Sequence, residues 1–344
     1  MALNIRILVF AAAALASYAF FFYHIWGNGP HTAFSSALTS AFQSHGNKDG
    51  LAYMTLMAGT MLNVSDPDIS NDKYFVATRL LGYQLMHAPT TKTRKKIPFV
   101  VLVTDKIPMA VRERLQKDGA TVILVEDVHT ESDWAKSETP EWADVMTKLR
   151  AWQMTQYSRV LLLDADMVLS SCLDGVFTDP AAQIIPLVSS ASSPTDEGEL
   201  PDKYLFASFP EANPHHAYPP TVENNDFKDP NYFNAGFFIF APSQQMYRHY
   251  YAILSIENRF DPRYPEQNLL NYAHHREGKM PWQLLDLHWN IRFPNKDDLD
   301  KGVASMHDKW WHAQMDGRLE PYFMSLRWRM EGFYEAIDAG LMLR

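Results

Sequence analysis

Val160-Leu161-Leu162-Leu163, running into Asp164-Ala165-Asp166, is the stretch on which the fold turns. An apolar run closed by two carboxylates reads as a buried strand that delivers acidic groups to the edge of a sheet. Alternate side chains of a strand share a face, so Asp164 and Asp166 point together while Ala165 points away. Two hard oxygen ligands at that spacing suit Mn²⁺, or Mg²⁺, that also binds a substrate phosphate. The same tripeptide occurs in ordinary strand-to-turn junctions with solvated aspartates, so its context decides.

That context is an alternation of strand and helix patterns. Leu51–Met57 and Pro98–Thr104 read as strands, with a helix over Asp72–His87 between them. Pro108–Asp118 reads as a helix, Thr121–Val125 as a strand, and Glu141–Tyr157 as a helix leading into Val160–Leu163. A βαβα order predicts an α/β fold with a largely parallel sheet. Beyond Asp166 the segment Pro194–Pro230 is crowded with Pro, Asn, Asp and His and reads as a long loop, of the kind that forms lids or specificity elements. His215 and His216 within it read as solvated rather than as a second metal site. A strand over Tyr232–Phe240 follows, then helices from Pro242-Ser243 and over Glu266–His275. Gln283–Asn290 and Gly302–His307 read as short strands, and Pro321–Ala339 as a helix with Phe323, Leu326, Met330 and Phe333 on its buried face.

Composition narrows the function. The hydrophobic share of 47% is ample for one large core. A net charge of −9 argues against a nucleic-acid surface, which needs basic patches. An acidic protein that binds a diphosphate needs a cation in the site, which agrees with carboxylate-held metal. Cys172 is the only cysteine, so no intrachain disulfide forms, and it reads as a buried filler.

At the N-terminus, residues 7–26 are apolar and nearly uncharged, with Arg6 before them and Phe20, Phe21, Phe22, Tyr23 and Trp26 at the far end. This length and these flanks predict an uncleaved membrane anchor rather than a signal peptide. The expected organisation is a cytoplasmic tail over 1–6, an anchor over 7–26, a stem over 27–50 and a lumenal domain over 51–344, type II in a Golgi or other secretory-pathway membrane. Asn63-Val64-Ser65 is a sequon permissible in that compartment.

Five segments now stand in order. They are Tyr53-Met54-Thr55-Leu56 with Asn71-Asp72-Lys73-Tyr74; Thr147-Lys148-Leu149-Arg150-Ala151-Trp152 running into Asp164-Ala165-Asp166; Phe233-Asn234-Ala235-Gly236-Phe237; Pro265-Glu266-Gln267-Asn268; and His307-Asp308-Lys309-Trp310-Trp311. Together they resemble glycosyltransferase family 8, the glycogenin-like group, over roughly Leu51 to Trp311. The resemblance implies a glycosyltransferase A-type fold, a Rossmann-like mixed sheet flanked by helices. It also implies a UDP-sugar donor, a saccharide or glycoconjugate acceptor and transfer with retention of anomeric configuration.

On that resemblance Asp164, Asp166 and His307 hold the metal, and Ala165 lies against the donor with them. Lys309 matches a lysine at the donor phosphates and Lys148 one near the donor sugar. Thr55 and Leu56 match the nucleobase end of the first strand, and Asn234 and Ala235 line the sugar pocket. Gln267 would sit beneath the reacting sugar face, with Glu266 binding a hydroxyl or assisting catalysis. Four departures stand out. Glu266 replaces a frequent Asp, Ala235 replaces a frequent Ser, an arginine before the Lys148 helix has no counterpart, and the loop from His307 to Lys309 is shortened. A nucleotidyltransferase would need a Gly-rich triphosphate loop where Ala58-Gly59-Thr60 stands. A scaffolding relative would lack the intact Asp164, Asp166, His307 and Gln267.

Overall fold

The computed structural model describes residues 49–59, 62, 69–129, 134–135, 139 and 143–342. The expected tail, anchor and almost all of the stem lie outside the described residues, as does the Asn63 sequon. Among the described residues no helix is long and apolar enough to cross a membrane.

The domain is built on a mixed seven-stranded sheet. β1 (Leu51–Met57), β2 (Phe99–Val103), β3 (Thr121–Leu124) and β4 (Arg159–Leu163) are parallel to one another in the order β3-β2-β1-β4. β9 (Phe237–Phe240) runs antiparallel beside β4, followed by β8 (Phe206–Ser208) and β10 (Gln283–Leu284). Every residue of β1, β2 and β9 is buried, which is why these strands read as continuous apolar runs. The chain leaves β1 towards β2 and β3, then returns to β4 on its other side. A crevice opens at the carboxyl ends of strands where the order reverses in this way. Thr55, Leu56 and Asp164 stand at that edge.

The chain turns at Asp164–Asp166 and enters a second sheet. β5 (Met167–Leu169) pairs antiparallel with β12 (Ser305–His307), which pairs with β11 (Ile291–Arg292). Met167 is registered opposite His307, so the residue following Asp166 carries the distant histidine with it.

Helices cover both faces. α1 (Lys73–Met86) begins with Asp72 accepting from the Tyr74 and Phe75 N–H groups, and α2 (Met109–Lys117) follows β2. α3 (Gln244–Leu254), α4 (Pro265–Ala273), α5 (Lys296–Asp300) and α6 (Glu320–Asp338) complete the set. α6 lies against α1 through Phe323, Leu326, Met330 and Tyr334. Tyr334 takes the innermost position that the sequence pattern assigned to Phe333, which is half-buried against His87 and Tyr83.

Four further expectations change. Glu141–Tyr157 is not an α-helix: the described part forms a 3-10 helix over Val145–Gln153. Asp144 does not cap it, because both carboxylate oxygens accept from Lys106 Nζ at 3.0 Å. The Pro194–Pro230 loop contains β8 and the two-residue β7 (Lys203–Tyr204), which pairs antiparallel with β6 (Ile185–Pro186), strands too short to show a period. The strand expected over Tyr232–Phe240 is confined to Phe237–Phe240, leaving Asn234–Gly236 outside the ladder, and Gln283–Asn290 contributes only β10. Cys172 is half-buried, and burial pushes its thiol up, away from nucleophilic reactivity.

His216 is not solvated. Its Nδ1 faces the Asn213 carbonyl at 2.6 Å and its Nε2 faces the Asp298 carboxylate at 3.0 Å, with both side chains of that pair fully buried. Acceptors at both ring nitrogens favour the imidazolium, against the weaker approach of the Asn295 Nδ2 donor to Nε2 at 3.4 Å. Burial opposes that charge, but the Asp298 and Asn213 hydrogen bonds outweigh it and raise the pKa above the ordinary imidazole value. A raised folded-state pKa adds stability below about pH 6.5, and that stability is lost as pH rises through the folded value. The difference in denaturation midpoint between the wild type and His216→Gln is therefore expected to be widest at and below that pH and to narrow on the alkaline side. A difference that widens with pH would contradict the imidazolium.

Candidate active site

Four chain segments converge where β4 ends. The Asp164 N–H donates to the Gly236 carbonyl at 2.8 Å, so the residue before β9 lies beside the first carboxylate. Register places His307 across from the second. His307 Nε2 is 3.2 Å from Asp166 Oδ1 and 3.8 Å from Asp164 Oδ2. Ligand atoms from Asp164, Asp166 and His307 all lie within 4.8 Å of one another. Two carboxylates and an imidazole at this separation suit a divalent cation. Burial works against ionising Asp166, but the charge and hydrogen bond of His307, with Lys309 and Arg292, hold its carboxyl below the usual range.

Gly236 is what lets the histidine in. A Cβ there would stand 2.2 Å from His307 Cε1 and 2.7 Å from Nδ1, closer than packed atoms approach. Any side chain at 236 would expel the ring.

Lys148 is held by the 3-10 helix, which Trp152 fixes to the sheet. The indole packs on Phe206, Phe238, Phe240 and Tyr250 and is itself buried. Lys148 is buried, at 3% exposure, unlike an ordinary helical lysine. Its Nζ lies 2.7 Å from Asp164 Oδ1 and 2.7 Å from Glu266 Oε1. Burial disfavours the ammonium, yet two adjacent carboxylates more than offset it and the pKa is raised. Glu266 itself is buried in the first turn of α4, where an acid also interacts favourably with the helix dipole.

Residues 69–310 match the family model described as glycosyl transferase family 8, which covers most of the described domain. The chain belongs to glycosyl transferase family 8. An uncharacterized protein of Schizosaccharomyces pombe is 29% identical over 327 residues, covering 86% of this chain and 82% of that protein. Galactinol synthase 4 of Arabidopsis thaliana is 26% identical, covering 52% of each. Human glycogenin-1 is 27% identical, covering 59% of this chain and 45% of its own length. Among solved structures, the galactosyltransferase LgtC, in complex with donor and acceptor sugar analogs, aligns with a TM-score of 0.47 at 15% identity, covering 80% of this chain and 95% of that one.

The remaining residues that resemble the family 8 pattern fall into two groups. Gln267 and Asn234 are engaged by the protein itself. Gln267 Oε1 accepts from the Ala235 N–H at 2.9 Å while its Nε2 donates to Tyr232 Oη at 2.9 Å, and Asn234 Oδ1 accepts from the Gly236 N–H at 2.9 Å. Both side chains shape the Asn234–Gly236 turn on which His307 rests. Thr55 is the opposite case. Its hydroxyl is buried at the crevice edge without a hydrogen-bond partner, next to the buried Leu56.

Lys309 reaches the site despite the shortened loop. Its Nζ is 4.0 Å from Asp166 Oδ2 and donates to Tyr74 Oη at 3.2 Å. Asp308 folds inward and accepts from the Lys309 and Gln314 N–H groups at 2.8 and 3.0 Å. Arg292 donates to the His307 carbonyl at 3.0 Å. Sequence reasoning missed Tyr74, Arg292 and Asp308 as neighbours of the site. Tyr74 stood inside a quoted motif, but only the fold shows that it meets Lys309.

Gly236→Ala is expected to lower stability by about 1–3 kcal/mol through overpacking. Most of that loss should disappear in a His307→Ala background, read by denaturant unfolding of the two single variants and the double. Equal losses in both backgrounds would show that the ring is not the obstacle.

Proposed function

We propose that this glycosyltransferase moves a hexosyl group from a UDP-sugar to a saccharide or glycoconjugate acceptor, with retention of configuration and with a divalent metal, Mn²⁺ in the first instance. The domain is read as a glycosyltransferase A-type fold. The observation that carries the proposal is the placement of Asp164, Asp166 and His307 between two lysines. Asp164, Asp166 and Glu266 set three carboxylates against the ammonium groups of Lys148 and Lys309. A site of that sign repels a diphosphate until a divalent cation joins it. Asp164, Asp166 and His307 would hold the cation, which supplies Lewis-acid stabilisation of the departing diphosphate.

The residues of the chain do the rest. Lys309 holds phosphate charge from the side of α1, where its ammonium is already beside Asp166. Lys148 holds the Glu266 carboxylate at 2.7 Å, and Glu266 faces a donor-sugar hydroxyl across the crevice. A carboxylate held at 2.7 Å by a buried ammonium is a poor nucleophile, which favours a front-face transfer over a double displacement at Glu266. In that transfer the bond from the sugar carbon to the phosphate oxygen breaks, the bond to the acceptor oxygen forms on the same face, and the departing phosphate takes the acceptor proton. Thr55 offers the buried hydroxyl for the nucleobase, and Asn234 and Ala235 wall the sugar. The apolar segment 7–26 supports a lumenal, membrane-anchored placement. Neither structure nor comparisons favour the scaffolding or nucleotidyltransferase readings.

Purified protein screened against a panel of sugar nucleotides is expected to hydrolyse a UDP-hexose slowly and only with Mn²⁺ or Mg²⁺. Asp164→Ala and Asp166→Ala should each lower that rate by about a hundredfold or more. Hydrolysis that survives chelation and both substitutions would overturn the site.

A further inference from the structure

The shortened loop after His307 poses a geometric problem that the structure solves in an unexpected place. The turn is tight, since the His312 N–H donates to the Lys309 carbonyl at 2.9 Å and Asp308 is buried beneath it. Lys309 meets the site through its side chain, whose Nζ lies 4.0 Å from Asp166 Oδ2. A lysine stem loses considerable rotamer freedom when its head is fixed. Something other than the loop has to fix it.

We propose that Trp311 is a positioning residue that, together with Tyr74, holds the Lys309 ammonium in place for the donor diphosphate. This rests on the reading of Lys309 as a diphosphate ligand. The ammonium donates to the Tyr74 hydroxyl at 3.2 Å and lies 5.4 Å from the ring centroid of Trp311, within the range of a cation–π contact. The two rings pack edge to face at 5.4 Å and 75°, so they form two sides of one corner. The adjacent Trp310 has a different task. Its indole N–H donates to the Lys73 carbonyl at 3.3 Å, and Arg327 lies over its ring at 4.8 Å. Trp310 ties the turn to the start of α1, which leaves Trp311, half-buried, to face the ammonium. The Tyr74 hydroxyl and the Trp311 ring hold the cation without neutralising it as a carboxylate would. The ammonium keeps its charge for an incoming phosphate, with Asp166 its nearest acid at 4.0 Å. The effect is confined to one end of the ligand, and the discrimination it gives is between a nucleoside diphosphate and a monophosphate.

The test is isothermal titration of UDP and of UMP, each with Mn²⁺, into the wild type, Trp311→Ala, Trp311→Phe, Lys309→Ala and the Trp311→Ala/Lys309→Ala double variant. Trp311→Ala is expected to weaken UDP by about fivefold and to leave UMP nearly unchanged. Trp311→Phe, which keeps a ring face and the packing, should restore most of the UDP affinity. In the Lys309→Ala background the Trp311 substitution should add nothing, because it acts through the ammonium. Equal weakening of UDP and UMP, or losses that multiply in the double variant, would overturn the proposal in favour of a general packing role. Wild-type UDP binding that is indifferent to Mn²⁺ would instead overturn the donor reading on which it rests.

Discussion

A buried ammonium between two carboxylates organises this site. Lys148 joins the end of β4, through Asp164, to the first turn of α4, through Glu266. Removing one partner of a buried charge group leaves an uncompensated charge and costs several kcal/mol, whereas the intact group adds little to net stability. The arrangement therefore specifies geometry more than it stabilises the fold. Its accuracy comes from Trp152, which locks the 3-10 helix onto the aromatic face of β8 and β9. Lys148 is thus a rigid cation at the inner wall, and Lys309 a cation delivered from the outer wall by aromatic packing.

Between these walls, the proposed metal ligands are brought together by strand register. Asp164 and Asp166 sit at the turn between the two sheets, and the Met167–His307 pairing brings the histidine to them. Gly236 leaves the space, and Gln267 and Asn234 hold the turn that contains it. The substitution of Glu266 for the frequent Asp fits this frame, because the ion pair with Lys148 closes at 2.7 Å. At Ala235 the contact that holds the turn is the backbone N–H, which donates to Gln267 Oε1.

Much of this was legible in the sequence, and the exceptions have physical causes. β1, β2, β3, β4 and α1 were readable to within a residue or two, because buried parallel strands and a capped helix leave strong local patterns. The Asp164–Asp166 pair was readable from the apolar run that ends beside it together with the motifs around it, not from the tripeptide by itself. His307 was not, since its partners are set by a register between distant segments; only the resemblance pointed to it. Lys148 was placed near the donor sugar by the resemblance alone, because nothing local announces its two carboxylate partners. His216 was misjudged for the same reason, its partner Asp298 lying on α5. The 3-10 helix and β8 escaped because one lacks the period of an α-helix and the other is three residues long.

The most direct test of this account is diffraction from crystals grown with UDP and Mn²⁺, measured at a wavelength where manganese scatters anomalously. The account predicts one strong anomalous peak coordinated by Asp164, Asp166 and His307, with Lys148 still paired to Glu266 and Lys309 on the diphosphate. A peak coordinated by other residues, or bound UDP with no manganese beside these three, would contradict it.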